Sequence, residues 1–166
     1  MQYISKYKSP LGDAVLAADE IGLTGLYFEC QKGFAFCLSE YREKKLPIFD
    51  ETIEWLNIYF SGKEPRFKPP LHFTGTAFQN EVWGILCSIK YGKTVTYGEI
   101  ARILSDRRGI KSMSAQAVGG AVGKNKISII VPCHRVIGAD GSLVGYAGGL
   151  DKKIALLELE KTYIGN

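Results

Sequence analysis

The chain is poor in the residues that build metal sites and covalent cross-links: 166 residues hold two histidines, His72 and His134, and four cysteines, Cys30, Cys37, Cys87 and Cys133. No two cysteines have the close spacing of a metal or redox motif, and the histidines add no zinc-type pattern. Neither a metal ion, another cofactor nor a disulfide framework is therefore expected. No stretch approaches the roughly 20 apolar residues that a membrane-spanning helix requires. Met1 to Lys8 mixes polar, aromatic and charged residues, so no apolar signal segment or targeting peptide is expected there. A cytoplasmic monomer without membrane contact is the expectation.

Hydrophobic residues make up 46% of the chain and charged residues 23%, enough to bury a core. The net charge of +4 is modest, but it is unevenly placed. From Tyr91 to Arg135 the basic residues are Lys93, Arg102, Arg107, Arg108, Lys111, Lys124, Lys126 and Arg135, against only Glu99 and Asp106. The remainder is mildly acidic. A basic segment in such a chain suits a polyanion such as DNA, although an ordinary solvated surface explains the charge equally well.

The expected fold is mixed α/β of the α+β kind. Tyr3–Tyr7, Ala14–Ala18 and Leu23–Phe28 read as three strands of an antiparallel meander, separated by Pro10, Gly12 and Gly22. Phe34–Lys44 is a weak helix candidate and Phe49–Phe60 a stronger one. Glu64–Thr76 holds three of the six prolines and reads as a linker, dividing a small N-terminal sheet domain over residues 1–70 from a mostly helical domain over 71–166. In the second unit a helix from Ala77 runs towards Gly92. Two shorter helices follow, Gly98–Leu104 capped by Thr96 and Ser114–Gly123, joined by the polar run Ser105–Lys111 as in a helix-turn-helix. Gly119 and Gly120 each cost about 1 kcal/mol relative to alanine inside a helix. Close packing against a neighbouring element is the preferred reason for them, ahead of approach to a nucleic-acid groove.

Ile127–Val131 is an apolar, β-branched run that reads as a buried strand ended by Pro132. Cys133, His134 and Arg135 would then sit where the strand opens out. A lone cysteine is most often core filler, but His134 can act as a base and Arg135 adds positive charge, and both favour the nucleophilic thiolate. In an extended chain adjacent side chains point to opposite sides, so contact between His134 and the thiol needs a turn or a bridging water. A third group must hold the histidine tautomer. The C-terminal helix, Lys152–Lys161, with Ile154, Leu156, Leu157 and Leu159 as its apolar set, offers Glu158 and Glu160, and spacing does not choose between them. The glycine-rich stretch Gly138–Gly149 reads as a binding loop or a surface hairpin.

The run Val131, Pro132, Cys133, His134, Arg135, Val136 resembles the active-site signature of the O6-alkylguanine-DNA alkyltransferases. Phe78, Gln79, Val82, Trp83, Tyr97, Gly98, Ala117 to Gly120 and Gly145 to Leu150 extend the resemblance, which is dense from Thr74 to Glu160 and thin before it. It implies a ribonuclease-H-like N-terminal domain and irreversible, single-turnover transfer of an alkyl group from O6-alkylguanine in duplex DNA, with O4-alkylthymine as a second candidate lesion, after nucleotide flipping through the minor groove. By the same resemblance Cys133 is the acceptor, His134 its base through a water, Glu160 the carboxylate that orients the base, Asn125 the hinge of the connecting turn and Tyr97 the acid for the leaving guanine. Val136, Tyr146, Ala147 and Gly148 are the implied base-reading residues. Thr96, Ala115, Gln116, Ala117, Gly119, Gly120, Lys124 and Arg135 are the implied DNA contacts. Gln116 departs from the arginine of the family pattern, which implies weaker or more salt-tolerant DNA binding. A cysteine hydrolase and a non-catalytic sensor of alkylated DNA are the alternatives.

Overall fold

The structure, a computed structural model, describes residues 2–29 and 41–164. Strands β1 (Tyr3–Ser9), β2 (Gly12–Ala18) and β3 (Leu23–Phe28) form the expected meander. The first turn is held by Ser9, whose Oγ accepts from Leu11 N and donates to Gly12 O, with Gly12 at φ +123°. Phe34–Glu40 of the weak helix candidate lie outside the described residues. Its described end is no helix: Arg42–Glu43 form a short strand, β4, parallel to β1, because Arg42 N and Lys44 N donate to the Gln2 and Ile4 carbonyls of the sheet edge. The sheet order is therefore β3-β2-β1-β4.

Helix α1 (Pro47–Phe60) starts with proline in its first turn, where no amide partner is needed, and packs Phe49, Trp55, Leu56 and Tyr59 inward. At the opposite edge, β3 is buried along its whole length and its backbone is not left free. Leu23 N donates to Pro70 O and His72 N to Leu23 O; further along, Leu26 N donates to Lys126 O and Ser128 N to Leu26 O. Two later segments thus cover the sheet edge as single bridges, at Leu71 and at Ile127. The second of these segments leads directly into Cys133.

Helix α2 (Ala77–Leu86) opens on a reciprocal Thr76–Gln79 capping box and ends before the expected Gly92, tightening into a turn as Ser88 N and Ile89 N bond only three residues back. Helix α3 (Tyr97–Arg108) is capped by Thr96 and Glu99 and runs four residues past the expected Leu104, to a left-handed Gly109. Arg107 and Arg108 in its last turn suit the negative end of the helix dipole, so residues read as connector belong to the helix. Helix α4 (Ala115–Gly123) follows with Ser114 as its cap. Trp83 Nε1 donates to Ala121 O at 2.9 Å and fixes α4 against α2. Short strands β5 (Val95–Thr96) and β6 (Val136–Ile137) pair in parallel, and helix α5 (Leu150–Ile164) closes the chain.

One continuous hydrophobic cluster joins Leu16, Leu26 and Phe28 of the sheet to Trp83, Ile100, Val118, Val131 and Leu156. The proline-rich segment at Pro69–Leu71 is built into that body through its bonds to β3. Gly22 shows how tightly: a Cβ there would lie 2.7 Å from the Pro70 carbonyl oxygen, with a φ that any residue adopts. Gly22→Ala should consequently cost about 1–3 kcal/mol through overpacking alone, read as a lower urea midpoint with unchanged m-value.

Candidate active site

The stretch Ile127–Val131, expected as a strand, is a compact turn. Val131 N returns to Ile127 O at 3.1 Å, and Ile130 N to Ser128 O at 2.8 Å, forcing Ile129 to φ 70°. A buried β-branched residue in that region stores of order 1–3 kcal/mol of strain and survives only where its surroundings over-determine it. Asn125 does this. Its Oδ1 accepts from Ile127 N at 3.0 Å, while Nδ2 donates to Ile127 O at 3.3 Å and to Val131 O at 2.9 Å. A strand would leave these amide groups of a buried Asn125 without partners, so the asparagine decides against it.

Pro132 then turns the chain again, with Cys133 N donating to Val131 O at 2.8 Å, and Cys133–Arg135 form a single 3-10 turn. Successive side chains in such a turn diverge by about a third of a revolution, not by half. Cys133 therefore faces a cavity of about 280 Å³ while His134 and Arg135 go inward.

Inside, both converge on Glu160. His134 Nε2 lies 2.6 Å from Glu160 Oε2, which also accepts from the Tyr59 hydroxyl at 2.6 Å and from an Arg135 terminal nitrogen at 3.1 Å. Glu160 Oε1 accepts from Arg135 Nε at 2.8 Å and Gly92 N at 3.1 Å. Burial alone would raise the Glu160 pKa, yet bonding to His134 and the Arg135 charge overcome it and hold the carboxyl at about 2. Burial pushes the His134 pKa down against the pull of Glu160. The imidazole is thus neutral near pH 7. Because the carboxylate can only accept, it assigns the proton to Nε2, leaving Nδ1, which has no hydrogen-bond partner among the described residues, as a free base.

Tyr97, Gly119, Val122, Gly123, Asn125, Cys133, Gly145, Tyr146 and Ala147 line the cavity. Burial raises the Cys133 pKa; Asn125 and Lys153 pull the other way without prevailing. The resting group is a thiol, contrary to the expectation that Arg135 would favour the thiolate, because that guanidinium is spent on Glu160 and on Ile89 O. Arg135 is 8% exposed and does not join the DNA-facing surface where the resemblance placed it. Tyr97, whose hydroxyl is 3.4 Å from Val144 O, has its pKa raised by burial and then by Cys133.

Of the implied base-reading residues, Tyr146 and Ala147 line the cavity. Val136 is buried and not part of the lining, its carbonyl held by Lys153 at 2.7 Å, and Gly148 packs against the rings of Phe28 and Tyr146, where a Cβ would clash at 2.7 Å. On α4, Ala115, Gln116, Ala117 and Gly120 are exposed, as is Lys124 just after it. A Cβ on Gly120 would meet nothing within 4 Å, and one on Gly119 would touch only the Tyr97 ring at 3.7 Å. Packing within the chain thus does not account for these glycines, and the reading preferred from sequence gives way to an open face of mostly small residues. Thr96 uses its hydroxyl to cap α3.

A family model described as the DNA binding domain of 6-O-methylguanine DNA methyltransferase matches residues 77–162, and one described as its ribonuclease-like domain matches residues 2–73. The chain belongs to the 6-O-methylguanine DNA methyltransferase family. A relative from Methanosarcina mazei named methylated-DNA–protein-cysteine methyltransferase is 45% identical, over 96% of this chain and 97% of its own; one of the same name from Haemophilus influenzae is 39% identical over 96% and 86%. The crystal structure of Mycobacterium tuberculosis O6-methylguanine methyltransferase superposes with a TM-score of 0.84 at 41% identity, covering 98% of this chain and 94% of that one. A structure of the Mycobacterium tuberculosis protein in complex with DNA gives 0.83 at 42% identity, over 97% and 94%. No helix among the described residues of this family member is long and apolar enough to cross a membrane.

Two inward residues escaped the sequence reading. Lys153 is completely buried, its ammonium donating to Val136 O at 2.7 Å, Val144 O at 3.0 Å and Gly145 O at 3.3 Å, which ties the glycine-rich loop to the floor of the cavity. Burial lowers its pKa and Cys133 raises it. The inward face of α5 is Lys153, Leu156 and Glu160, whereas Ile154, counted as apolar core, is 38% exposed and Glu158 points outward. The i, i+3, i+7 spacing of 153, 156 and 160 was the available signal. The other is Tyr59 on α1, whose ring is buried in the core while its hydroxyl reaches Glu160.

Glu160 also fixes a pH dependence. Its folded value near 2 lies below the ordinary 4.5, so the unfolded chain binds a proton that the folded chain refuses. That stabilisation, about 3 kcal/mol, is complete above about pH 5 and lost as the pH falls towards 2; the depressed His134 pKa acts in the same direction from a higher pH. Denaturant titrations from pH 7 to 3 should show a steep acid loss in the wild type and a shallower one in Glu160→Gln, whose starting stability is lower because Arg135 is left without a counter-charge. Equal acid slopes would contradict the assignment.

Proposed function

We propose that this chain repairs duplex DNA by taking the alkyl group from O6-alkylguanine and retaining it as a thioether on Cys133. The observation that carries the reading is the thiol at the floor of a base-sized cavity, backed by a neutral histidine with a free ring nitrogen and a buried carboxylate behind it. The Cys133 proton passes through a water to His134 Nδ1, and the imidazolium so formed is stabilised by Glu160. The Sγ lone pair attacks the carbon bonded to O6. The carbon–oxygen bond breaks with its electrons moving into the purine, and the Tyr97 hydroxyl, kept protonated by its raised pKa, gives a proton to the departing base. The product thioether offers no leaving group to water. Each molecule therefore acts once.

O6 is paired inside the helix, so the nucleotide must be rotated out at a cost of a few kcal/mol. The exposed small-residue face of α4 permits backbone-close approach to the minor groove, and Tyr97 stands between that face and the cavity. Tyr146 and the Gly145–Ala147 backbone are placed to read the everted base, while Lys153 holds the Gly145 and Val144 carbonyls. Gln116 projects from the exposed face where it can pair with the orphaned partner base. Lys124 supplies phosphate contact.

Incubation with duplex DNA carrying O6-methylguanine should add one methyl per protein by intact mass, and none to Cys133→Ala. Turnover beyond one equivalent, or no transfer, would contradict the proposal. Tyr97→Phe should slow transfer by about 10²-fold or more while DNA affinity, measured by fluorescence anisotropy, changes little; equal losses in both would remove the proton-donor role.

A further inference from the structure

Tyr59 lies 101 residues before Glu160 in sequence, is completely buried, and its hydroxyl meets the same carboxylate oxygen that holds His134. We infer that Tyr59, on helix α1, is a positioning residue for the transfer reaction, setting through Glu160 how strongly His134 holds the proton it takes from Cys133. The inference rests on the alkyl-transfer reading and extends the reacting machinery into the N-terminal half of the chain.

The geometry separates the hydroxyl from the ring. The ring alone accounts for packing: it stacks on Trp55 at 5.4 Å and 8°, and meets Phe60, Tyr91 and His134 edge-on at 5.4, 6.1 and 6.5 Å. The hydroxyl adds a 2.6 Å bond to Oε2, as short as the His134 bond to that atom. A third donor, from Arg135, makes Oε2 a crowded acceptor. Each donor withdraws charge from the oxygen, so Tyr59 weakens the field that Glu160 presents to the imidazole. Without it, the carboxylate stabilises the imidazolium more. The other charged or titratable groups facing this centre are Arg135 beside His134 on the 3-10 turn, Lys153 on α5, Tyr146 on the glycine-rich loop and Tyr91, whose ring lies against both Tyr59 and Arg135. None of these bonds to the Tyr59 oxygen, so its removal leaves them in place.

The test uses the whole chain with Tyr59→Phe, which keeps the ring, and Trp55→Phe, which disturbs the packing but keeps the hydroxyl. Single-turnover methyl transfer from duplex O6-methylguanine is followed against pH, and alkylation of Cys133 by iodoacetamide is followed in parallel without DNA. In Tyr59→Phe the acid limb of both profiles should move to higher pH by about half a unit, since a more basic His134 gives up its proton later. DNA affinity should remain unchanged. In Trp55→Phe the limb should stay where it is while the thermal midpoint falls. Superimposable limbs for wild type and Tyr59→Phe, equal shifts in both variants, or failure of Tyr59→Phe to fold would each overturn the inference. A shifted iodoacetamide limb with no transfer from DNA would instead overturn the repair reading and leave the Tyr59–Glu160–His134 coupling standing.

Discussion

A carboxylate that is 1% exposed has to find donors for both oxygens, and satisfying Glu160 determines how distant parts of this chain meet. Removing such a group from water costs several kcal/mol unless attraction and hydrogen bonds offset it. Here the offset comes from helix α1 through Tyr59, from the turn after α2 through Gly92, and from the 3-10 turn through His134 and Arg135. No one of these stretches could move independently without leaving a buried charge short of partners. His134, the proposed base, is thus oriented by a group whose own position the whole body enforces.

The Cys133 side of the site is fixed by a different means. The edge of β3 needs partners for its backbone, and the segment around Ile127 supplies them; the same segment carries Asn125 and the strained Ile129 turn. Sheet-edge pairing, asparagine bonding and burial of Ile129 all act on about five residues. Strain at Ile129 is sustained because each of its neighbours is pinned. The turn in turn sets the direction in which Pro132 releases Cys133. Both halves of the chain therefore hold the reacting thiol, one through the sheet edge and one through Glu160.

Much of this was legible in the residues. The three strands, the caps at Thr76, Thr96 and Ser114 and the helix-turn-helix follow from local patterns that tertiary contacts do not override, and the Pro-Cys-His-Arg run carried the family resemblance. The failures have a common cause. Ile127–Val131 has a strand's composition, but the bonds of Asn125, a single polar side chain two residues earlier, decide its shape. Arg135 looks like a phosphate ligand until the position of Glu160, 25 residues on, is known. Lys153 looks solvated because charged residues usually are, and spacing alone does not separate Glu160, which only the resemblance selects, from Glu158. The burial of Lys153 and Glu160 depends on partners from remote elements, which periodicity in one helix does not reveal. Gly119 and Gly120 read as packing glycines because a sequence does not show what faces a helix; in the structure the Gly120 position is open and Gly119 faces only the Tyr97 ring.

The same buried network bears on how a thiol meant for one reaction is kept until it is needed. A thiolate exposed to solvent would be consumed by any passing electrophile or oxidant. At 7% exposure and with its pKa raised by burial, Cys133 rests protonated, and the neighbouring imidazole rests neutral. In the proposed reaction charge separates only when a proton moves from sulfur to His134, and then three fixed groups respond at once: Glu160 to the new imidazolium, Lys153 and the Asn125 amide to the new thiolate. None has to reorganise, since each is already held by bonds to backbone or to buried side chains. The cavity, which α4 lines through Gly119, Val122 and Gly123, is where a flat base would meet the otherwise buried sulfur. Low resting reactivity and transfer within a correctly filled cavity are then two outcomes of one arrangement: a neutral, buried pair whose ionised form is stabilised in advance.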